Sequence, residues 1–540
     1  MHRFDRTFTA LFLIAGSLAA ACGSSGSGSD PTVPDPGVTP PPGSPGADAA
    51  PPEPPKAPIV TGTPDDSEIN EMLGIFVAPT GAANGDGSRA HPLLTVQAGI
   101  DRARTGGKRV YVCTGTYKEA LVIADSISVI AGLDCSAPIW KAGAARSRIE
   151  SPTSPAILAK TITSPTRLEG LDIVAPKVTA PGASSIGFFA DHAAAITLAK
   201  SSVQAGDAAS GADGVNGTQL TLDAAAAKGG DAPPDAKCNN GVTCIGAIKV
   251  GTTSFYWSSA PGALGGTSAC AGAAGHNGES GGKGGVSGIY EGKKTVTVPS
   301  TFFWDAYTGL GLSPILPRPG DVRSGLAGAP GQQGQNGIAL GSLGADGYVG
   351  VPGSAGTDGS AGYGGSGGRG AAIEALGAGG VGEIWRGKGG PGGSAGGCPG
   401  LAGTPGGGGG ATIALALIES PLTVDATQLT AGNGGAGGHG TFGGDATAGG
   451  AAGLNRSGDP ANAAFEGGRG GSAGTSANGS SGPSLGIMHV GAPAKLVNGG
   501  RATAGTGGAS LPETSKTDDG GTRVIQATPA GHAQDILAQQ

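Results

Sequence analysis

Ala195-Ile-Thr-Leu-Ala-Lys-Ser-Ser-Val-Gln-Ala-Gly206 and Ala416-Leu-Ile-Glu-Ser-Pro-Leu-Thr-Val-Asp-Ala-Thr-Gln-Leu-Thr-Ala-Gly432 are two versions of one pattern. Each is a pair of short β-runs that ends in Ala-Gly and opens into a Gly-rich stretch. Ser484-Leu-Gly-Ile-Met-His-Val490 with Gly500-Arg-Ala-Thr-Ala-Gly505 is a weaker third copy. Stacked β-helix coils with long loops leaving at the same corner produce this recurrence. Upstream, 156–162, 168–174 and 185–189 add β-runs separated by turn residues, so the expected class is all-β.

The Gly-rich stretches have a period of their own. Gly recurs every third residue over 325–337, slips by one place, and resumes over 341–368; the spacing also holds over 272–284, 387–396 and 400–409. Three residues is the turn of a polyproline-II-type helix, and Gly at every third place lets neighbouring helices approach closely. Collagen is excluded because 341–370 contains a single proline, Pro352, and because Leu340 and Pro399 break the register. The spacing predicts polyglycine-II-like excursions packed against the β-helix, with simple disorder as the alternative.

The segment 75–135 reads as strand (Ile75-Phe76-Val77-Ala78), loop, helix over 94–104, then strands at 109–112, 121–123 and 127–130. Gly87-Ser88, Pro92, Thr95, Gln97-Ala98, Ile100, Val110 to Val112, Gly115-Thr116-Tyr117-Lys118-Glu119 and 127–132 resemble the entry segment of bacterial pectin-lyase-like proteins. The resemblance implies the N-terminal cap and first coils of a right-handed parallel β-helix over about 60 residues. It implies little about activity, because that fold hosts lyases, hydrolases, adhesins and inert surface proteins. The Gly-rich part resembles bacterial surface proteins of the PE-PGRS type, without their PE domain.

Composition sharpens the reading. Of 540 residues 110 are Gly, with only 11 Phe, 7 Tyr and 4 Trp, and 14% are charged. Gly has no side chain to bury and weakens helix interiors, which disfavours packed α/β enzyme domains. A hydrophobic fraction of 38% disfavours a charged disordered tail. The net charge is −7 with no basic cluster, so no nucleic-acid partner is expected.

Residues 1–21 read as a secretory signal: Arg3 and Arg6 precede an apolar run at 8–18 that is short for a membrane span. Leu18-Ala19-Ala20-Ala21-Cys22 resembles a bacterial lipobox, although Ala19 stands where such motifs prefer Leu. That resemblance implies lipid on Cys22, and Gly23 after it implies the outer membrane. Residues 22–70, with Pro40-Pro41-Pro42 and Pro51-Pro52-Glu53-Pro54-Pro55, form a Pro/Gly/Ser-rich tether. In polyproline II it could reach up to ~100 Å. The expected body is then cap and first coils over 71–231, a Cys- and aromatic-bearing insertion over 232–322, further coils with excursions over 323–510, and a tail or cap over 511–540.

With Cys22 lipidated, six of seven cysteines remain, an even number for an exported chain. Cys113 and Cys135 follow successive strands of adjacent coils, aligned as Val110 with Ile127. Cys238 and Cys244 close a tight loop, and Cys270 and Cys398 are left to each other. Zinc is the alternative, but no CxxC pair or His cluster accompanies these cysteines.

No catalytic, metal or cofactor motif stands above chance. Gly362-Tyr-Gly364-Gly-Ser-Gly367, the near P-loop Gly382 to Lys388, and the Gly-x-Ser-x-Gly matches at Ser394 and Ser484 are hits of composition without strand–turn–helix context. Asp191 and His192 are neighbours that point to opposite faces if extended, as do Glu169 and Asp172 on one regular strand; Glu419 and Asp425 are divided by Pro421. The leading reading is a non-enzymatic, lipid-anchored surface protein in adhesion or coat formation, touching extracellular polysaccharide or other surface proteins. The alternatives are a carbohydrate-binding module using Trp257 and Trp304, and a β-helix polysaccharide lyase or hydrolase.

Overall fold

The computed structural model describes residues 60, 62–233, 246–250, 253–257, 262–272, 324–368, 371–375, 384–456, 460 and 463–539. Three parallel sheets organise it. The first runs Gly74–Ala82, Arg109–Cys113, Val129–Asp134, Thr166–Glu169, Ile196–Ala199, Thr423–Asp425, Lys495–Val497. The second runs Thr116–Tyr117, Ser147–Glu150, Leu171–Val174, Ser202–Gln204, Gln428–Thr430, Arg501–Thr503. The third runs Leu121–Ile123, Ile157–Lys160, Ser185–Asp191, Thr412–Ile418, Ser484–Val490, Ala533–Gln539. From Arg109 onward the chain visits the sheets in rotation, adding one strand to each per circuit.

Register turns this rotation into a core. Val110, Val129, Leu168, Leu198, Val424 and Leu496 are successive partners in the first sheet. Tyr117, Ile149, Ile173, Val203, Leu429 and Ala502 follow one another in the second, and Leu121, Ile157, Phe188, Leu415, Ile487 and Ile536 in the third. The three columns face one another, and most of their side chains are fully buried. Each such aliphatic contributes roughly 1.5–3 kcal/mol. Val110 pairs with Val129, not with Ile127 as the spacing suggested, because Ser126 takes a left-handed conformation and holds Ile127 in the turn before the strand.

The helix Val96–Gly106 begins two residues later than its apolar spacing implies. The Thr95 hydroxyl accepts from the Ala98 N–H, and the Glu119 carboxylate accepts from the N–H groups of Val96 and Gln97 at 2.7 and 2.9 Å, which leaves Leu94 outside. Val96, Ile100 and Ala103 pack on the start of the stack, and a Cβ at Gly99 would lie 2.6 Å from Val77. On the outer side of the first sheet Ile69, Phe76, Tyr111, Ile130, Leu133 and Trp140 form a second cluster, beside the Cys113–Cys135 disulfide.

All long excursions leave between a second-sheet strand and a third-sheet strand, spanning 205–411, 431–483 and 504–532. A column of hydroxyls holds that corner. Ser185 accepts from the Gly206 N–H; Thr412 donates to the Gly206 carbonyl and accepts from the Gly432 N–H. Ser484 then donates to the Gly432 carbonyl and accepts from the Gly505 N–H. The Ala-Gly that ends each copy is thus a hydrogen-bonded station between coils.

Within the excursions the bonds keep a three-residue step. The N–H groups of Gly325, Gly328, Gly331, Gly334 and Gly337 donate to the carbonyls of Glu466, Arg469, Ser472, Thr475 and Asn478 at 2.7–2.9 Å. Those of Ser354, Thr357, Ser360 and Tyr363 reach Gln335, Gln332, Ala329 and Leu326 from the antiparallel side. Segments 389–411 and 463–483 have neighbours on several sides and are largely buried; segment 324–338 lies outside, and its Gln332, Gln333 and Gln335 are exposed. Glycine content follows position: the outer segment keeps Gly at one place in three, the inner ones need small residues at two or three.

The unbroken spacing over 341–368 does not form one segment. Ser342–Gly344 and Gly347–Val349 make an antiparallel hairpin, because Leu343 and Tyr348 find an apolar bed in Ile186, Phe189, Ile413 and Met488 on the outer face of the third sheet. The array resumes after it.

Thr253–Trp257 lies beside Ile384–Lys388, and Cys270 is bonded to Cys398. At the C-terminus, Ala533–Gln539 completes the third sheet, and Thr514–Asp518 with Gly521–Ile525 forms a hairpin.

Candidate functional site

One set of charges lies on the outer face of the first sheet. Leu168 points into the core, so Arg167 and Glu169 on either side of it point out, and the next strands bring Lys200 and Asp425 to the same place. Arg167 Nε is 2.6 Å from Glu169 Oε2, and Lys200 Nζ is 3.2 Å from Oε1. The Thr63 hydroxyl donates to Glu169 at 2.5 Å and accepts from Lys200. Arg167 and Glu169 are only 6% and 4% exposed, which decides their role. Burial alone would raise the Glu169 pKa, yet the Thr63, Arg167 and Lys200 partners hold it below the ordinary value. A carboxylate so engaged is a weak base without access to substrate.

Glu169 and Asp172 do not share a strand. Gly170, at φ 73°, turns the corner between them, so Asp172 faces outward from the second sheet instead. There Arg148 bridges Asp172 at 2.7 Å and Glu150 at 2.8 Å, and Ser202 donates to Asp172. Asp191 and His192 also differ from their expected geometry. His192 is left-handed, at φ 52°, which brings its Nδ1 to 2.7 Å from Asp191 instead of onto the opposite face. Lys160 stands 4.0 Å from the same carboxylate.

Of the cysteines expected to pair, Cys113 with Cys135 and Cys270 with Cys398 are disulfides, both with Cα atoms 5.8 Å apart. For the first, a register shift between Tyr111, opposite Ile130, and Cys113 sets Cys113 against Leu133. Cys398 is fully buried, against Leu220 and Cys270. Cys22, Cys238, Cys244 and Trp304 lie outside the described residues. Trp257 ends a strand paired with Trp385. Near the second disulfide, Leu220, Leu222, Ala224, Lys228, Thr447 and Ala451 line an open cavity of about 520 Å³; Lys228 is already paired with Asp231.

Arg523 was invisible to sequence reasoning. It is 8% exposed, and its guanidinium donates to the carbonyls of Gly443 and Ala473 at 2.6 and 3.1 Å and to Asp445 and Asp518. It clamps the hairpin 514–525 onto the inner Gly-rich segments. Arg523→Ala leaves Asp445 and Asp518 without their shared cation and is expected to cost about 3 kcal/mol, read as a lower urea midpoint. Arg523→Lys should recover only part of this, lacking the fork.

Acid weakens the same framework. For Asp445, burial would raise the pKa, but Lys516 and Arg523 beside it lower it. Asp207 is lowered by the Asn433 N–H, and Asp231 by Lys228. Carboxylates with depressed folded values stabilise above the ordinary carboxylate pKa and lose that contribution as pH falls through the folded value. Thermal midpoints should therefore drop below about pH 4. Glu119 runs the other way: burial raises its pKa despite the two helix N–H groups it accepts. A midpoint that stayed level down to about pH 2.5 would contradict this.

Among the described residues no group of three or more His, Cys, Asp or Glu is placed to hold a metal ion, and no helix is long and apolar enough to cross a membrane. No protein-family model, curated protein or solved structure matches the chain.

Proposed function

We propose that this chain is a lipid-anchored cell-surface protein whose body, a right-handed parallel β-helix of the pectin-lyase-like type, carries a rigid slab of polyglycine-II segments and serves in adhesion or coat formation. One observation carries the reading. Among the described residues, buried charges and corner hydroxyls are committed to holding the framework: Glu169 is closed under Thr63, Arg523 is spent on backbone carbonyls and two carboxylates, and Ser185, Thr412 and Ser484 join one circuit to the next. Outward, the described residues present polar and charged side chains with scattered apolar ones such as Val215, Leu264, Leu326 and Ile338. Such a surface suits contact over area better than attack on a bond.

The anchor belongs to the same proposal. The lipobox-like Leu18-Ala19-Ala20-Ala21-Cys22 and the Pro-rich tether support outer-membrane attachment through Cys22. Metabolic labelling with a tritiated fatty acid, followed by detergent partitioning, tests it. Wild-type protein should carry label and enter the detergent phase with outer membranes; Cys22→Ser should do neither. Equal partitioning of both would sink the anchor. Release of new reducing or unsaturated ends from polysaccharides by the purified protein would overturn the non-enzymatic part.

A further inference from the structure

Six Asn-Gly dipeptides fall within the described residues, at Asn84, Asn216, Asn336, Asn433, Asn478 and Asn498. This dipeptide is the one most prone to lose its side-chain amide, because Gly presents no side chain to shield its own backbone nitrogen. The reaction requires that nitrogen to leave its hydrogen bond and approach the Asn carbonyl carbon. In five of the six it is engaged. The N–H of Gly85 donates to Ala82, Gly217 to Phe442, Gly337 to Asn478, Gly434 to Thr506, and Gly479 to Gly438, all at 2.9–3.0 Å. Four of these bonds are rungs between Gly-rich segments, so breaking one means parting the array.

Asn498-Gly499 is different. It occupies the centre of the turn closed by the Gly500 N–H on the Val497 carbonyl at 2.8 Å, with φ of 50° and 82°. In such a turn the second central N–H points outward. The Gly499 N–H has no partner among the described residues, both residues are exposed, and a Cβ built at Gly499 would meet nothing within 4 Å. We infer that Asn498 is a site of spontaneous deamidation in the folded protein, and that the Gly-rich array protects Asn216, Asn336, Asn433 and Asn478.

The chemistry needs only water. The Gly499 nitrogen bonds to the Asn498 side-chain carbonyl carbon, the bond from that carbon to Nδ2 breaks, and ammonia leaves with the proton the Gly499 nitrogen gives up. Water then opens the cyclic imide at either carbonyl, leaving aspartate or, with the backbone rerouted through the side chain, isoaspartate. The consequence is local. Asn498 Nδ2 donates to Asp425 Oδ1 at 2.7 Å, across the corner from Thr423–Asp425 to the last first-sheet strand. A carboxylate there faces Asp425 with like charge. The Arg167 guanidinium, 4.0 Å from Asp425, is already shared with Glu169. Modification therefore loosens the last coil at Lys495–Val497 and Arg501–Thr503.

The test is peptide mapping of purified full-length protein after incubation at mildly alkaline pH, with a parallel sample in concentrated urea. In urea all six sites should convert at comparable rates. In the native sample Asn498 should keep its urea rate to within about threefold, while Asn216, Asn336, Asn433 and Asn478 slow by at least about tenfold. Native conversion at Asn498 as slow as at those four would overturn the inference; so would equal conversion at all sites, which would mean the array protects nothing. Asn498→Asp, prepared directly, should speed amide exchange in 495–503 and leave 109–113 unchanged. Unaltered exchange in 495–503 would remove the proposed consequence.

Discussion

Gly353→Val is expected to cost on the order of 4 kcal/mol or to abolish ordering of residues 350–368, whereas Ala355→Val should stay within about 0.5 kcal/mol. A Cβ at Gly353 falls on the Ala477 carbonyl and lies 2.6 Å from its carbon and from the Asn478 carbonyl. Those atoms are backbone of an inner segment, itself bonded at three-residue steps to further neighbours, so they have nowhere to move. At Gly356 the same construction lands 2.7 Å from Gly474 and from the Thr475 carbonyl. Ala355, two places from Gly353, is exposed. Amide exchange across 350–368 with urea unfolding separates the two substitutions. Random-coil exchange in the wild type, or equal losses for both variants, would mean that the close approach does not hold these segments.

Removing the Cys270–Cys398 disulfide, by Cys270→Ser with Cys398→Ser, is expected to cost about 4–5 kcal/mol in chain entropy. The bond closes a separation of 128 residues, while Cys113–Cys135 closes 22 and should be worth nearer 3 kcal/mol. Position enlarges the contrast. Cys398 sits within a buried inner segment, its N–H donating to the Thr447 hydroxyl and its carbonyl accepting from the Thr447 N–H, so its crosslink ties the short strand at Cys270–Ala271 to the middle of the array. The Cys113–Cys135 bond lies instead in the apolar cluster with Trp140, whose Ile69, Phe76, Tyr111 and Ile130 contacts do not depend on a long loop. Urea unfolding of the two double variants checks the order. A larger loss for the 113/135 pair would show that packing, not loop closure, decides.

These expectations also show why glycine is so abundant. Gly loses more backbone freedom on ordering than any other residue. The array recovers that cost through hydrogen bonds between backbones that no side chain separates. The requirement is local to each segment, which makes the pattern readable: the residues flanked on all sides, such as Pro391 to Gly400, are small almost throughout, while the outer 324–338 alternates Gly with Gln, Ala and Pro.

The amino-acid sequence by itself determined the all-β class, the repeating pair of strands, the common corner from which the excursions leave, the three-residue step, and the partners of two disulfides. Each of these is a matter of spacing along the chain, and spacing survives folding. What depended on tertiary structure was every case in which one backbone angle or one distant neighbour redirected the chain. A left-handed Gly170 placed Glu169 and Asp172 on different sheets, and a left-handed His192 joined it to Asp191. An apolar bed on the third sheet drew Leu343 and Tyr348 out of an unbroken glycine spacing into a hairpin. Thr63 closed over Glu169 from 106 residues away, and Arg523 reached Gly443 from 80. Such outcomes follow from which surfaces lie exposed once the sheets have stacked, and no local pattern of side chains encodes that.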